Sequence, residues 1–190
     1  MSYSNLENVS KTLAHKIWEG IKDDEQIKQI IHDPCQISLL APKDAQSKLA
    51  QVSVFLYNIA ELSSMRNQPQ TQKPPTLLYL NLHYLITPLT QNIETDQIVL
   101  GKIMQIFAQT PILRDTDLQG SLSENGDELK VTLDALTAED LNKLWTMLMS
   151  PYKLSIGYSV FPVTIQAAKP LETKPVPPKN LKTTDIIRKA

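Results

Sequence analysis

The sequence predicts an α/β (α+β) domain with a mixed, largely antiparallel central sheet and helices packed on it. Three observations carry this. Two strongly apolar stretches, Gln51–Ala60 and Thr76–Ile86, flank a polar, proline-bearing loop. Two segments, 5–21 and 93–110, repeat apolar residues at helical spacing. The elements alternate irregularly along the chain as α-β-β-β-α-β-β-α-β, which suits a mixed sheet with helices laid on it.

The first helix is placed at 5–21, where Leu6, Val9, Leu13, Ile17 and Ile21 share one face. Ser4 followed three residues later by Glu7 has the form of a capping box. The opposite face, with Lys11, Lys16 and Glu19, is expected in solvent. Residues 22–35 are charged, and Asp23-Asp24-Glu25 reads as a solvated turn. Pro34 disfavours helix in the residue before it. Gln36–Leu40 is a short strand stopped by Pro42.

In Gln51–Ala60 the residues Val52, Val54 and Leu56 take one parity and Phe55, Tyr57 and Ile59 the other, the pattern of a central strand covered on two sides. Residues 61–75 hold three prolines and many amides and belong on the surface. Thr76–Ile86 is a second central strand, ended by Pro88. The helix at 93–110 follows, with Pro111 just beyond it, and Ile112-Leu113 begins a short edge segment. The polar stretch 115–127 and the alternating strand Glu128–Asp134 suggest a hairpin. Thr137 opens a helix with Glu139 and Asp140 in its first turn, and Leu141, Leu144, Trp145 and Leu148 lie on one face. Leu154–Gln166 alternates again, and Pro162 makes it an edge or bulged strand.

After Ala168 the composition changes. Residues 169–190 hold four prolines, no aromatic residue, and six basic against two acidic side chains, so the segment carries +4 and leaves −5 on the rest. The division is therefore a domain at 1–168 and a flexible or polyproline-like tail at 169–190.

With a net charge of −1 nothing global steers the chain to nucleic acid or to an anionic membrane. Only 5 glycines argue against a glycine-rich phosphate-binding fold. The single cysteine suits a reducing compartment, the first residues have no signal-peptide pattern, and the longest apolar run is too short to span a bilayer. The chain is read as made and folded in the cytoplasm. His32-x-x-Cys35 lacks the further ligands that a zinc site needs and reads as a loop residue and a small buried thiol. His83, inside an apolar strand, reads as a satisfied core imidazole with no adjacent acid to orient it. Asp115, Asp117, Glu124, Asp127 and Glu128 lack calcium-loop spacing. Nucleotide-binding and nucleophile-elbow motifs are absent, so no catalytic residue, cofactor site or metal site is assigned. Arg66-Asn67, mid-loop between two strong strands, is the sequence's best interface candidate, with local bracing of the loop as the competing role.

Three stretches taken together carry a resemblance: LYNIAELSSMRNQP (56–69), LLYLNLHYLITPLTQNIETDQIVLGKIMQIFAQTPIL (77–113) and LTAEDLNKLWTMLMSPYKLSIGYSVFPVTI (136–165). Within them Arg66-Asn67, Tyr84-Leu85 with Thr87-Pro88, Leu100-Gly101, Pro111-Ile112-Leu113, Leu144-Trp145, Pro151 and Tyr158 occur in order. The set resembles the tail terminator, or cap, proteins of extracellular contractile injection systems of the antifeeding-prophage and virulence-cassette type, over about residues 4–167. The resemblance implies a structural protein without cofactor. It would form a ring, expected to be a hexamer, on the baseplate-distal end of the inner tube and sheath, and would stop their polymerisation.

Its implied partners are other copies of itself and the terminal sheath and inner-tube subunits, with neither nucleic acid nor membrane, and its final place is the released extracellular particle. A baseplate or adaptor subunit of the same particle is the alternative, ahead of a small-ligand module or enzyme. The residues expected at interfaces are Arg66 and Asn67, Leu154, Ile156 and Tyr158 on a strand open to strand addition, and Lys179 and Lys182 of the basic tail.

Overall fold

A computed structural model describes residues 2–63, 77–124 and 126–166. Its sheet has six strands in the order β1-β2-β3-β6-β5-β4. They are β1 (Ile37–Ser38), β2 (Val52–Glu61), β3 (Leu77–Pro88), β4 (Ile112–Leu113), β5 (Leu129–Asp134) and β6 (Ile156–Gln166). β1 runs parallel to β2, and every other pairing is antiparallel. The helices are α1 (Asn5–Ile21), α2 (Glu25–Lys28), α3 (Pro42–Ser47), α4 (Ile93–Gln109), α5 (Ser121–Glu124) and α6 (Ala138–Met147).

One face of the sheet carries the core. α1 supplies Val9, Leu13 and Ile17, α4 supplies Val99, Ile103 and Phe107, and the sheet meets them with Val54, Leu82, Tyr84, Ile86, Val160 and Val163, all buried. The helical spacing of these residues is why both long helices form where the sequence places them, since an apolar stripe must be buried against something. α1 and α4 approach closely at Gly20, where a β-carbon would lie 2.5 Å from Ile106 Cδ1. Tyr84 reaches through this layer, its hydroxyl 2.9 Å from Ser10 Oγ, and burial holds its phenol above the ordinary range.

Several local expectations change. Ser4 has helical backbone angles and makes no side-chain cap, because a 3-10 turn at Ser2–Ser4 runs straight into α1. The segment after α1 is not merely a turn: Asp24 caps α2 by accepting from the backbone of Gln26 and Ile27, and Ile27 is buried. The 115–127 stretch does return as an antiparallel pair, Ile112 opposite Lys130. Its connection, however, folds inward through a 3-10 turn and α5, burying Leu118 and Leu122.

The largest correction concerns which strands lie at the edge. β6 is interior, paired along its length to β3 and, as far as Phe161, to β5. Pro162 is tolerated because it sits at a bulge: Leu80 opposes Val163 and Leu82 opposes Val160, so Asn81 faces two residues of β6. Pairing with β5 stops before Pro162, so no partner calls on the N–H that proline lacks. β2, expected to be central, has β3 on one side but β1 only at Val52 and Ser53 on the other.

Candidate assembly surfaces

The two ends of the sheet bring different residues together. At one end β2 finishes, β3 begins and β6 finishes: Glu61 pairs with Leu80, and Leu77 with Gln166. The chain leaves this end twice, towards Arg66 and Asn67 and towards Lys179 and Lys182, all four of which lie outside the described residues. Beside those exits Ile59 and Leu78 are exposed aliphatic side chains on the strands themselves. They fall on the core side, Ile59 opposite the buried Leu82, where the sheet runs on past its helical cover.

At the other end, where Ile86 pairs with Ile156, a cleft of about 580 Å³ opens between α3, the start of α4 and the segment entering β6. Gln46, Thr90, Ile93, Asp96, Tyr152 and Leu154 line it. Asn92 caps α4 by accepting from the backbone N–H of Glu94 at 2.8 Å, which sets the helix start beside the cleft. Asp96 is nearly buried, and its Oδ1 accepts from the backbone N–H of Thr90 at 3.1 Å and from its hydroxyl at 2.6 Å. Beside the polar Gln91 and Lys153, three large apolar side chains of the rim are open: Ile93 is 73% exposed, Tyr152 58% and Leu154 41%. Large aliphatic and aromatic groups clustered in this way mark a contact surface better than scattered ones do.

The three strand residues picked from the sequence therefore separate. Leu154 lies at the cleft, Ile156 is half-buried against the core, and Tyr158 is inside it, its ring 4.9 Å from that of Phe107. From Gly157 to Phe161 both edges of β6 are already paired, which leaves no room for strand addition there. Sequence reasoning missed Ile93 and Tyr152. Ile93 opens the stretch of helical periodicity at 93–110, but as the first residue of α4 it lies before the turn that packs.

The polar clusters tie elements of the fold together. Lys16, expected in solvent, reaches Asp117 at 2.7 Å, and Lys102 reaches Asp24 at 2.7 Å. The Lys102 ammonium, followed by the backbone N–H of Ile27, holds the Asp24 carboxyl below the usual carboxylate range. His83 is only half-buried and does have an orienting acid, since its Nδ1 lies 2.8 Å from Asp134 Oδ2, spanning β6 between β3 and β5. Beside this pair lies Tyr57, whose ring centre is 6.1 Å from that of His83. Burial above all, and then the Asp134 charge, pushes the Tyr57 phenol up, so it stays protonated and is not activated.

Cys35 is exposed rather than buried, and the Asp33 carboxylate beside it raises its thiol, the opposite of what a nucleophile requires. Among the described residues no three His, Cys, Asp or Glu side chains are grouped to hold a metal, and no helix is long and apolar enough to cross a membrane.

No curated protein matches the chain. Among solved structures it is similar to the sheath/tube terminator of an extracellular contractile injection system, PVC, in the extended state. The two share 18% identity with a TM-score of 0.47, over 73% of this chain and 50% of that one. It is similar also to the tube-terminating cap of the anti-feeding prophage, with 22% identity and a TM-score of 0.44, over 70% of this chain and 48% of that one. The chain thus spans about half the length of each of these proteins. Residues 8–177 match the Pvc16 N-terminal domain family, and the chain belongs to that family.

Proposed function

We propose that this protein caps a contractile, phage-tail-like injection particle. A ring of six copies closes the baseplate-distal end of the inner tube and sheath and stops both from growing. The observation that carries this reading is the family match over residues 8–177, which spans nearly all of the ordered motif set read from the sequence. Its partners are other copies of itself and the last sheath and tube subunits. The reading needs no cofactor, nucleic acid or membrane. Assembly takes place in the cytoplasm before the particle is released.

A ring of identical subunits closes through heterologous contacts, in which two different surfaces of the protein meet. The apolar cleft rim at Ile93, Tyr152 and Leu154 supplies one such surface. The exit end, with Arg66 and Asn67 in one departing segment and Lys179 and Lys182 in the other, supplies contacts to a neighbour or to the sheath and tube. In this account residues 1–168 form the ring-building domain and 169–190 an appended arm.

Imaging of particles assembled without the protein tests the proposal. Tubes of uncontrolled length, or tubes lacking sheath, are expected. Normally capped particles of unchanged length would overturn it, and particles lacking their baseplate end would assign the protein to that end instead.

A further inference from the structure

The two long helices on the core face differ on their outer sides. α1 turns charged residues to solvent, with Glu7 paired to Lys11 and Glu19 to Lys22. In α4 the one charged residue between Gln97 and Gln109 is Lys102, which turns to Asp24. Its exposed positions include Gln97, Ile98, Gly101, Met104, Gln105 and Ala108. A surface helix normally carries charge on its outer face, and depletion of charge marks the centre of a protein contact. This face runs into a groove of about 350 Å³ between the end of α4 and β5, lined by Met104, Phe107, Ala108, Pro111, Val131 and Leu133. Met104 and Leu133 are exposed there.

A second feature points outward. Met149 is the most exposed large apolar side chain among the described residues, at 83%, and its φ of 47° is left-handed. It closes α6, its N–H donating to the Thr146 carbonyl at 3.1 Å and the N–H of Ser150 to the Trp145 carbonyl at 3.4 Å. Glycine is the usual residue at this position, because a β-carbon is disfavoured in the left-handed region. A methionine there costs stability and gains almost no burial within its own chain, and backbone cost of this kind is a sign of function. Three residues on, the exposed Tyr152 has its ring centre 6.0 Å from that of Trp145. Methionine adapts to irregular surfaces, and tyrosine anchors contacts.

We propose that the groove between α4 and β5 receives Met149 and Tyr152 of a second copy of this chain. The proposal rests on the ring reading above and names the surface that meets the cleft rim. Chemistry supports a second copy as the occupant, since apolar side chains enter an apolar groove. Charge agrees. Segment 147–154 carries Lys153 and no acid, whereas 128–134 and 112–117, which border the groove, hold four carboxylates against Arg114 and Lys130. Position supports it as well. The cleft lies at the start of α4 and the groove at its end, ~20 Å apart at ~1.5 Å per residue. Each copy then offers a different surface to each neighbour, the arrangement that closes as a ring.

Disulfide trapping tests it. In a Cys35→Ser background, Met149→Cys is combined with Ala108→Cys, and the full chain is oxidised both in purified particles and alone at high concentration. Covalent multimers are expected in at least one setting, ~10-fold above a Met149→Cys, Lys11→Cys control, because a bridge requires Cα atoms within about 7 Å. Multimers no more abundant than the control in both settings, or bonds only within one chain, would overturn the proposal. The two readings fail separately. A chain missing from the particle end sinks the cap while the solution arm still decides the contact, and a capped particle with no multimers in either setting sinks the contact alone. Met149→Gly gives a second readout. It should raise the melting temperature by relieving the left-handed residue, and a lowered melting temperature would assign Met149 to its own fold and overturn the proposal.

Discussion

The two faces of the sheet are built differently. On one, α1 and α4 lay two long helices over the strands, and buried residues from all these elements form one continuous cluster. On the other, cover is piecemeal: α3 brings Ala45 against Ala50 and Leu89 in a small separate cluster, and α6 has Trp145 as its only buried residue. There His83, Asn81 and Phe161 are left half-buried. The contrast teaches that the buried core and the exposed apolar groups occupy different parts of one small domain. A face closed by its own helices can tolerate open apolar groups elsewhere, at the cleft and the sheet ends, without losing its fold.

The comparison breaks if the thin face proves as costly to disturb as the thick one. Phe107→Ala removes a ring that is 2% exposed and packed against Tyr158, and it should lower unfolding stability by about 3–5 kcal/mol in urea melts. Trp145→Ala should cost about 2 kcal/mol despite the larger side chain, because the exposed Tyr152 ring beside it can fall into the gap. A Trp145 effect equal to that of Phe107 would show that α6 belongs to the main core.

Gly157→Ala sharpens the picture of the thin face. A β-carbon there would lie 2.8 Å from Leu136 Cδ1 and 3.2 Å from Asp134 Cβ, between the two strands that His83 and Asp134 tie together. A loss of about 1–2 kcal/mol is expected, with the His83 ring resonances shifting in NMR spectra as its partner moves. An unshifted His83 would show that the pair does not depend on the space the glycine leaves.

Legibility in the sequence follows the range of the interaction. α1 and α4 are found where helical periodicity and terminators place them, since those signals lie within a few residues of each other. Alternation in Gln51–Ala60 and Leu154–Gln166 correctly gives strands but reports only what lies above and below them. It says nothing about lateral neighbours: Pro162 signals an edge or bulged strand, and β6 is bulged but interior, while β2 reads as central although among the described residues β1 pairs with it only at Val52 and Ser53. Lys16 with Asp117 and His83 with Asp134 join residues 101 and 51 positions apart, a separation that spacing cannot reveal. Of the candidate site, Leu154 was legible as an alternating residue just before β6, whereas Tyr152 owes its place to the cleft between elements.

Acid sharpens the comparison further. The Asp24 carboxyl has a lowered pKa in the folded protein, so its bond to Lys102 stabilises the fold above the ordinary carboxylate range and is lost as pH falls through the folded value. Thermal melts of the native protein should therefore fall between about pH 5 and 3 more steeply than those of Lys102→Met. Parallel curves would show that the pair between α2 and α4 is screened by solvent and braces nothing.

The smallest stability effect should accompany the largest effect on assembly. Leu154 is 41% exposed at the cleft rim, outside the core cluster, so Leu154→Asp should change unfolding stability by no more than about 0.5 kcal/mol. The same substitution puts a charge beside Ile93 and Tyr152, where a neighbouring subunit would have to desolvate it. If the proposed ring forms in solution, light scattering should then report single subunits of the variant where the native chain gives the larger species, with the two melting curves superposed. Rings that survive Leu154→Asp would remove the cleft from the ring contact. The exit end, with Arg66 and Asn67, would then carry it, and Arg66→Ala should dissociate the ring at unchanged monomer stability.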